Sequence, residues 1–160
     1  MKRLAAVLTA SLLSHGAPAV SQVPPPPSLP GQDNLGRALV ADFARKDVAG
    51  YAALLSANVQ VYDDGVLVAR SKDEWMHRFG PELAAAGVTY RLTPGYSSTG
   101  RLLFIEYFNS LASWGRTPPP DCCWGCRAVA YDIAGGKILK IQRLNGGALQ
   151  LDDKGSPASN

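Results

Sequence analysis

Between Asp33 and Ala84 apolar positions recur mostly at three- and four-residue intervals, and from Val88 onward they recur every second residue. The first regime predicts helices, with a short interruption, and the second predicts strands. Leu35, Leu39, Val40 and Phe43 form one stripe, with Arg37, Asp42, Arg45 and Lys46 opposite, so a first helix is expected from Asp33 or Asn34, both good N-cap residues. After Lys46-Asp47 a second, short helix is expected, its apolar face made by Val48, Tyr51, Ala52, Leu54 and Leu55. Val59–Tyr62 and Val66–Val68 flank Asp63-Asp64-Gly65, turn chemistry between two β-rich runs, which reads as a hairpin. Ser71-Lys72-Asp73-Glu74 is a capping box for a third helix through Trp75, Met76 and Phe79, resuming after Gly80-Pro81 at Glu82-Leu83-Ala84. Strands are expected around 88–92, 102–111, 127–133 and 138–144, with Gly135-Gly136 turning the last pair. Helix, helix, hairpin, helix and then a strand meander predict an α+β fold: three N-terminal helices on one face of a curved antiparallel sheet.

The segment before Asp33 follows a different pattern. Lys2 and Arg3 precede an uncharged apolar run from Leu4 to Leu13, and Ala17-Pro18-Ala19 supplies small residues at an A-x-A site. These are the three parts of a secretory signal, and the apolar run is about half the length of a membrane-spanning helix. Residues 1–19 are therefore read as a signal peptide and the protein as exported, periplasmic or secreted. Residues 20–32 include Pro24-Pro25-Pro26-Pro27 and Pro30, an extended proline-rich linker or a ligand for a proline-reading domain. Residues 33–151 are the single domain and 152–160 a polar tail. Removing 19 of the 160 residues leaves 141, enough for one core. Two of the 16 Lys and Arg leave with the signal, so 14 face 13 acids, which gives no electrostatic footprint for nucleic acid or an anionic membrane.

Several stretches carry a family resemblance: Leu39–Asp47, Leu54–Asp63, the helix from Ser71, and the closing Gly136-Lys137-Ile138-Leu139-Lys140-Ile141. Together they resemble the SnoaL-like branch of the nuclear transport factor two-like superfamily over roughly residues 34–147. That resemblance implies a cone-shaped, cystatin-like α+β fold around a largely apolar pocket. Its members include ketosteroid isomerases, polyketide cyclases, dehydratases, epoxide hydrolases and non-catalytic binding modules, so the fold leaves the reaction open.

Two acids are candidates for catalysis. By ungapped count from Asp47, Asp63 falls where the resemblance puts the proton-abstracting aspartate of ketosteroid isomerases; the plain alternative is an Asp-Gly turn whose aspartates bond their own backbone. Glu106 alternates with Leu102, Phe104 and Phe108, and faces either the pocket or water. The same counts put Leu39 and Ala128 at the isomerase's oxyanion positions, and neither side chain can donate a hydrogen bond, which argues against steroid isomerisation. Tyr62, Trp75, Tyr107 and Trp124 are candidate ligand-lining aromatics or ordinary core. Cys122, Cys123 and Cys126 are the only cysteines. They read as one structural disulfide with one thiol over, as free thiols, as a C-x-x-C redox pair, or, with Asp121, as a metal site. His15 goes with the signal and leaves only His77, so no histidine-rich metal site is expected, and no cofactor motif is found. Three functions follow as expectations: binding of a small apolar molecule, cofactor-independent isomerase, lyase or cyclase chemistry through Asp63, and protein interaction as a homodimer.

Overall fold

The computed structural model describes residues 27–110 and 124–149, without the side chains of 109, 110, 124 and 147–149. The signal peptide, most of the proline-rich linker, the polar tail, Cys122, Cys123 and the Trp124 side chain lie outside the described residues. Nine elements follow one another: α1 (Gln32–Arg45), α2 (Val48–Leu54), β1 (Leu55–Asp63), β2 (Val66–Ala69), α3 (Lys72–Ala84), β3 (Val88–Pro94), β4 (Arg101–Ser110), β5 (Trp124–Ala134) and β6 (Lys137–Leu149). No described helix is long and apolar enough to cross a membrane.

Local chemistry accounts for most boundaries. The Asp47 side chain accepts from Gly50 N at 2.8 Å and starts α2 one residue after Lys46 closes α1 in a left-handed conformation. Ser71 Oγ accepts from Glu74 N, while Glu74 Oε2 reaches back past the cap to accept from Arg70 N at 2.7 Å. Asp64 and Gly65 both have positive φ, as a two-residue hairpin turn between right-twisted strands requires. Three expectations are corrected. α1 begins at Gln32 rather than at an Asp33 or Asn34 cap, because the buried Gln32 side chain bonds the backbone of Ser98 and Gly100 and fixes the first turn there. α3 runs unbroken through Pro81, which lies exposed on the helix. Asp42 is buried and ion-paired with Arg45 at 2.8 Å rather than lying on the solvent face.

The six strands form one sheet in the order β2-β1-β6-β5-β4-β3. It is mixed, not purely antiparallel: β1 and β6 run parallel, pairing Val61 with Ile141 and Asp63 with Arg143, and all other neighbours are antiparallel. The last strand therefore slots between the first and the fifth. The helices cover one face, which buries Leu102, Phe104, Val129, Tyr131, Ile141 and Val61 against Leu39, Phe43, Tyr51, Trp75, Phe79 and Leu83. Leu103, Ile105, Tyr107, Ala128 and Ala130 alternate onto the other face.

Candidate functional site

The helix-covered interior is walled by aromatic rings. Trp75 and Phe79, one turn apart on α3, stack at 4.9 Å with planes 8° apart, and Phe43, Tyr51 and Tyr90 close around Phe79 at ring-centroid distances of 5.7–5.9 Å. Trp75 Nε1 donates to Tyr51 Oη at 2.8 Å inside this wall. Burial pushes the Tyr51 phenol up, so it keeps its proton, and its oxygen is oriented by the indole.

A chain of charges crosses the floor. Arg143, 4 % exposed, lays its guanidinium 5.1 Å from the Trp75 ring centre and 5.3 Å from that of Phe79. One of its nitrogens faces Asp63 Oδ1 at 3.3 Å and another faces Glu106 Oε1 at 3.6 Å. Glu106 also meets Arg127 Nε at 3.2 Å, and Arg127 stacks over Phe108 at 3.9 Å. At the other end Arg78, from α3, stands 3.8 Å from Asp63 Oδ2. The arrangement is carboxylate–arginine–carboxylate with an arginine at each end. Exposure falls along it, from 21 % for the Asp63 side chain to 2 % for that of Glu106.

Burial dominates the chemistry of Glu106. Desolvation raises its pKa to about 7, with the nearby Glu82 and Asp63 carboxylates adding to the rise and Arg143 opposing it. One carboxyl of the pair is thus near half protonation at neutral pH. None of the four facing atoms, Asp63 Oδ1, Glu106 Oε1, Arg127 Nε and Arg143 Nη2, is in hydrogen-bond geometry with its ionic partner. These buried ion pairs hold one another by charge while keeping directional bonding capacity open.

Both predicted acids therefore reach the interior, and Arg143 brings them together. Asp63 is not part of the turn: it ends β1 opposite Val66 and Arg143, and the turn is Asp64-Gly65, with Asp64 bonded to Asn145 rather than to its own backbone. Of the three aromatics whose side chains are described, Trp75 alone is placed against the Arg143 that joins the acids. Tyr62 and Tyr107 face the other side of the sheet, under Lys140 and Arg91 respectively, because each is one residue from an inward carboxylate and strand side chains alternate. Ala128 is also an outward residue, so the inward neighbours on β5 are Arg127 and Val129, and the missing acid inferred at that position carries no weight. Leu39 is solid core at 0 % exposure. Cys126 is half-buried on β5, and its pairing with Cys122 or Cys123 lies outside the described residues.

Sequence reasoning missed Arg143, Arg127 and Tyr51. The signal was present: Arg143 lies two residues beyond Ile141 and Arg127 two before Val129, so each continues an inward apolar row. Where an apolar hollow was expected, packed aromatic rings stand against the buried Arg143. Among the described residues, one concavity is a groove of about 450 Å³ on the outer sheet face, lined by Tyr62, Leu103, Ala130, Arg143 and Leu144, and another, of about 570 Å³, runs along α1.

Helices on one face of a bent six-stranded sheet match solved structures closely enough to assign the architecture. The fold is NTF2-like. A candidate ketosteroid isomerase from Kribbella flavida superposes with a TM-score of 0.55 at 13 % identity, covering 79 % of this chain and 82 % of its own. An NTF2-like protein of unknown function from Cytophaga hutchinsonii gives 0.52 at 10 %, covering 71 % and 88 %. An LEH-like epoxide hydrolase from M. tuberculosis gives 0.51 at 11 %, covering 71 % and 80 %. At these identities the NTF2-like likeness establishes the fold alone. No family model and no curated protein matches the chain.

Proposed function

We propose that the protein is a cofactor-independent acid/base enzyme acting on a small, uncharged organic molecule. One observation carries this reading: Arg143 joins a partly exposed carboxylate, Asp63, to a deeply buried one, Glu106, whose pKa is raised to about 7. Two carboxyls with unlike environments can take a proton at one atom and return it at another. Asp63, at the rim, is the base toward water or an acidic C–H. Glu106, protonated in part at neutral pH, is the acid toward a substrate oxygen, and Tyr51 retains a hydroxyl proton beside it. Among the structural neighbours are proteins described as an epoxide hydrolase, a candidate ketosteroid isomerase and a candidate polyketide cyclase. Opening a ring with water, moving a double bond and closing a ring all share that pair of proton movements. Buried ion pairs seldom favour folding over apolar packing, which supports a functional reason for keeping this one.

The test uses two probes, a neutral cyclic epoxide in ¹⁸O-water and an enolisable ketone in deuterated buffer. Label should enter the product of one of them, and Asp63→Asn or Glu106→Gln should lower the rate by about 10²–10⁴-fold while leaving the circular dichroism unchanged. Wild-type protein no faster than Asp63→Asn on both probes would overturn the enzymatic reading and leave binding of an apolar molecule. N-terminal sequencing of protein recovered from outside the cytoplasm tests export, with Val20 as the expected first residue.

A second reading is favoured by the outer sheet face, where Leu144 is 59 % exposed beside the groove formed with Tyr62, Leu103 and Ala130. An apolar, uncovered sheet face suits pairing with a second copy. Light scattering should then give a dimer mass, and a monomer at high micromolar concentration would remove this reading.

A further inference from the structure

Helix α3 presents more than aromatic rings to the acid pair. Arg78 and Glu82 lie four residues apart on it, so opposite charges stand about 6 Å apart along one side of the helix. Arg78 meets Asp63 Oδ2 at 3.8 Å. Glu82 is tied to β3, where the Tyr90 hydroxyl donates to its Oε1. Glu82 is exposed and Tyr90 is buried, so this bond joins a surface carboxylate to a phenol of the interior wall.

The Tyr90 ring fixes where that carboxylate sits. It packs edge-on against Phe43 and Phe79, with centroids 5.7 and 5.8 Å away, and lies 6.4 Å from Phe108. In the sheet Tyr90 pairs with Phe108 and Leu92 pairs with Glu106. Tyr90 and Glu106 are therefore diagonal neighbours on the inward face, roughly 7–8 Å apart between strands. A clamped ring leaves its hydroxyl one position, and a hydrogen bond to a carboxylate is among the stronger kinds. Burial, with Glu82 adding to it, holds the Tyr90 phenol well above its usual range, so the proton of this bond stays with Tyr90.

The other groups that face Glu106 are Arg143 of β6, Arg127 of β5, and Asp63 of β1 beyond Arg143. The Tyr51 and Tyr131 phenols also face it, and burial keeps both protonated. Burial is the largest cause of the raised Glu106 pKa, and Arg143 opposes it. Of the two carboxylates that add to the rise, Glu82 acts more strongly than Asp63.

We propose that Tyr90 and Glu82 are positioning residues: by fixing a negative charge on the β3 side of the site, they make Glu106 rather than Asp63 the member of the pair that carries the proton. Their role rests on the acid/base reading of Asp63 and Glu106 and explains why the two carboxyls are not interchangeable. Arg78, one turn before Glu82, sets a positive charge against Asp63, so a single helix gives the two carboxyls opposite surroundings.

Carbon-13 NMR of the side-chain carboxyls, with the Glu106 signal assigned by its loss in Glu106→Gln, follows protonation of Glu106 without a substrate. Glu82→Gln can still accept from Tyr90 but carries no charge, and it should lower the Glu106 midpoint by about half a pH unit. Tyr90→Phe keeps the ring, frees Glu82 into water and should lower the midpoint similarly. The double variant should go no lower than Glu82→Gln alone. Asp73→Asn, at the exposed start of α3, should leave the midpoint in place. A midpoint that is raised in the wild type but unchanged in Glu82→Gln, or lowered equally by Asp73→Asn, would overturn the positioning pair and leave the acid pair standing. A wild-type midpoint near the ordinary 4.5 would remove the acid pair itself.

Discussion

Glu106 stands on β4 two residues beyond Phe104, and its burial is what alters its acidity. The folded pKa of about 7 lies above the ordinary 4.5, so between those values the folded protein holds a proton that the unfolded chain releases. Stability from this group is therefore greatest at low pH, falls as pH rises through that window, and is level above about 7. The loss amounts to roughly 3 kcal/mol at 1.36 kcal/mol per unit. Glu106→Gln cannot ionise, so urea midpoints of wild type and variant from pH 4 to pH 8 should diverge by that order; parallel curves would show that Glu106 is not desolvated as described. The sequence brought Glu106 and Asp63 forward but could not orient Glu106, because Leu103, Ile105 and Tyr107 make the opposite row of β4 apolar too. Packing of Gly36 on Leu102 and Phe104 settles which row is inside. Arg143 escaped notice because an isolated arginine on a strand reads as surface, and only two aromatic rings and two carboxylates around it make burial tolerable.

At the scale of elements, capping chemistry is local and was legible. Ser71 and Asp47 sit where the chain alone puts them, each satisfying an amide of the first turn. Ser71→Ala should cost about 1 kcal/mol and lower the thermal midpoint by a few degrees, with Ser71→Asp restoring most of it. An unchanged midpoint in Ser71→Ala would mean that α3 is held by its packing through Trp75 and Phe79 alone. Where an element end depends on a distant partner, local reading missed it. α1 starts early because Gln32 bonds a turn some 66 residues away, and β1 begins at Leu55 rather than Val59 because Leu55 pairs with Ile138.

For the whole molecule, the position of β6 is decisive. It bonds β5 on one side and β1 on the other, joining the N-terminal hairpin to the meander and setting Arg143 beside Asp63. A chain ended after Gly135 should therefore lose its cooperative thermal transition, since β1 and β5 would both become edges over an exposed core. A sharp transition in that truncated chain would show that the helices and the remaining strands fold without it.

The sequence by itself determined the helices, the hairpin and the two-glycine turn, because periodicity, caps and turn residues act between neighbours a few positions apart; it offered Glu106 through strand alternation, and Asp63 only through the family resemblance. Tertiary structure alone decided the parallel β1–β6 seam, the face of the sheet that became interior, and the meeting of Asp63 and Glu106 on Arg143. Those depend on which distant surfaces exclude water together, and no local pattern along the chain encodes that choice.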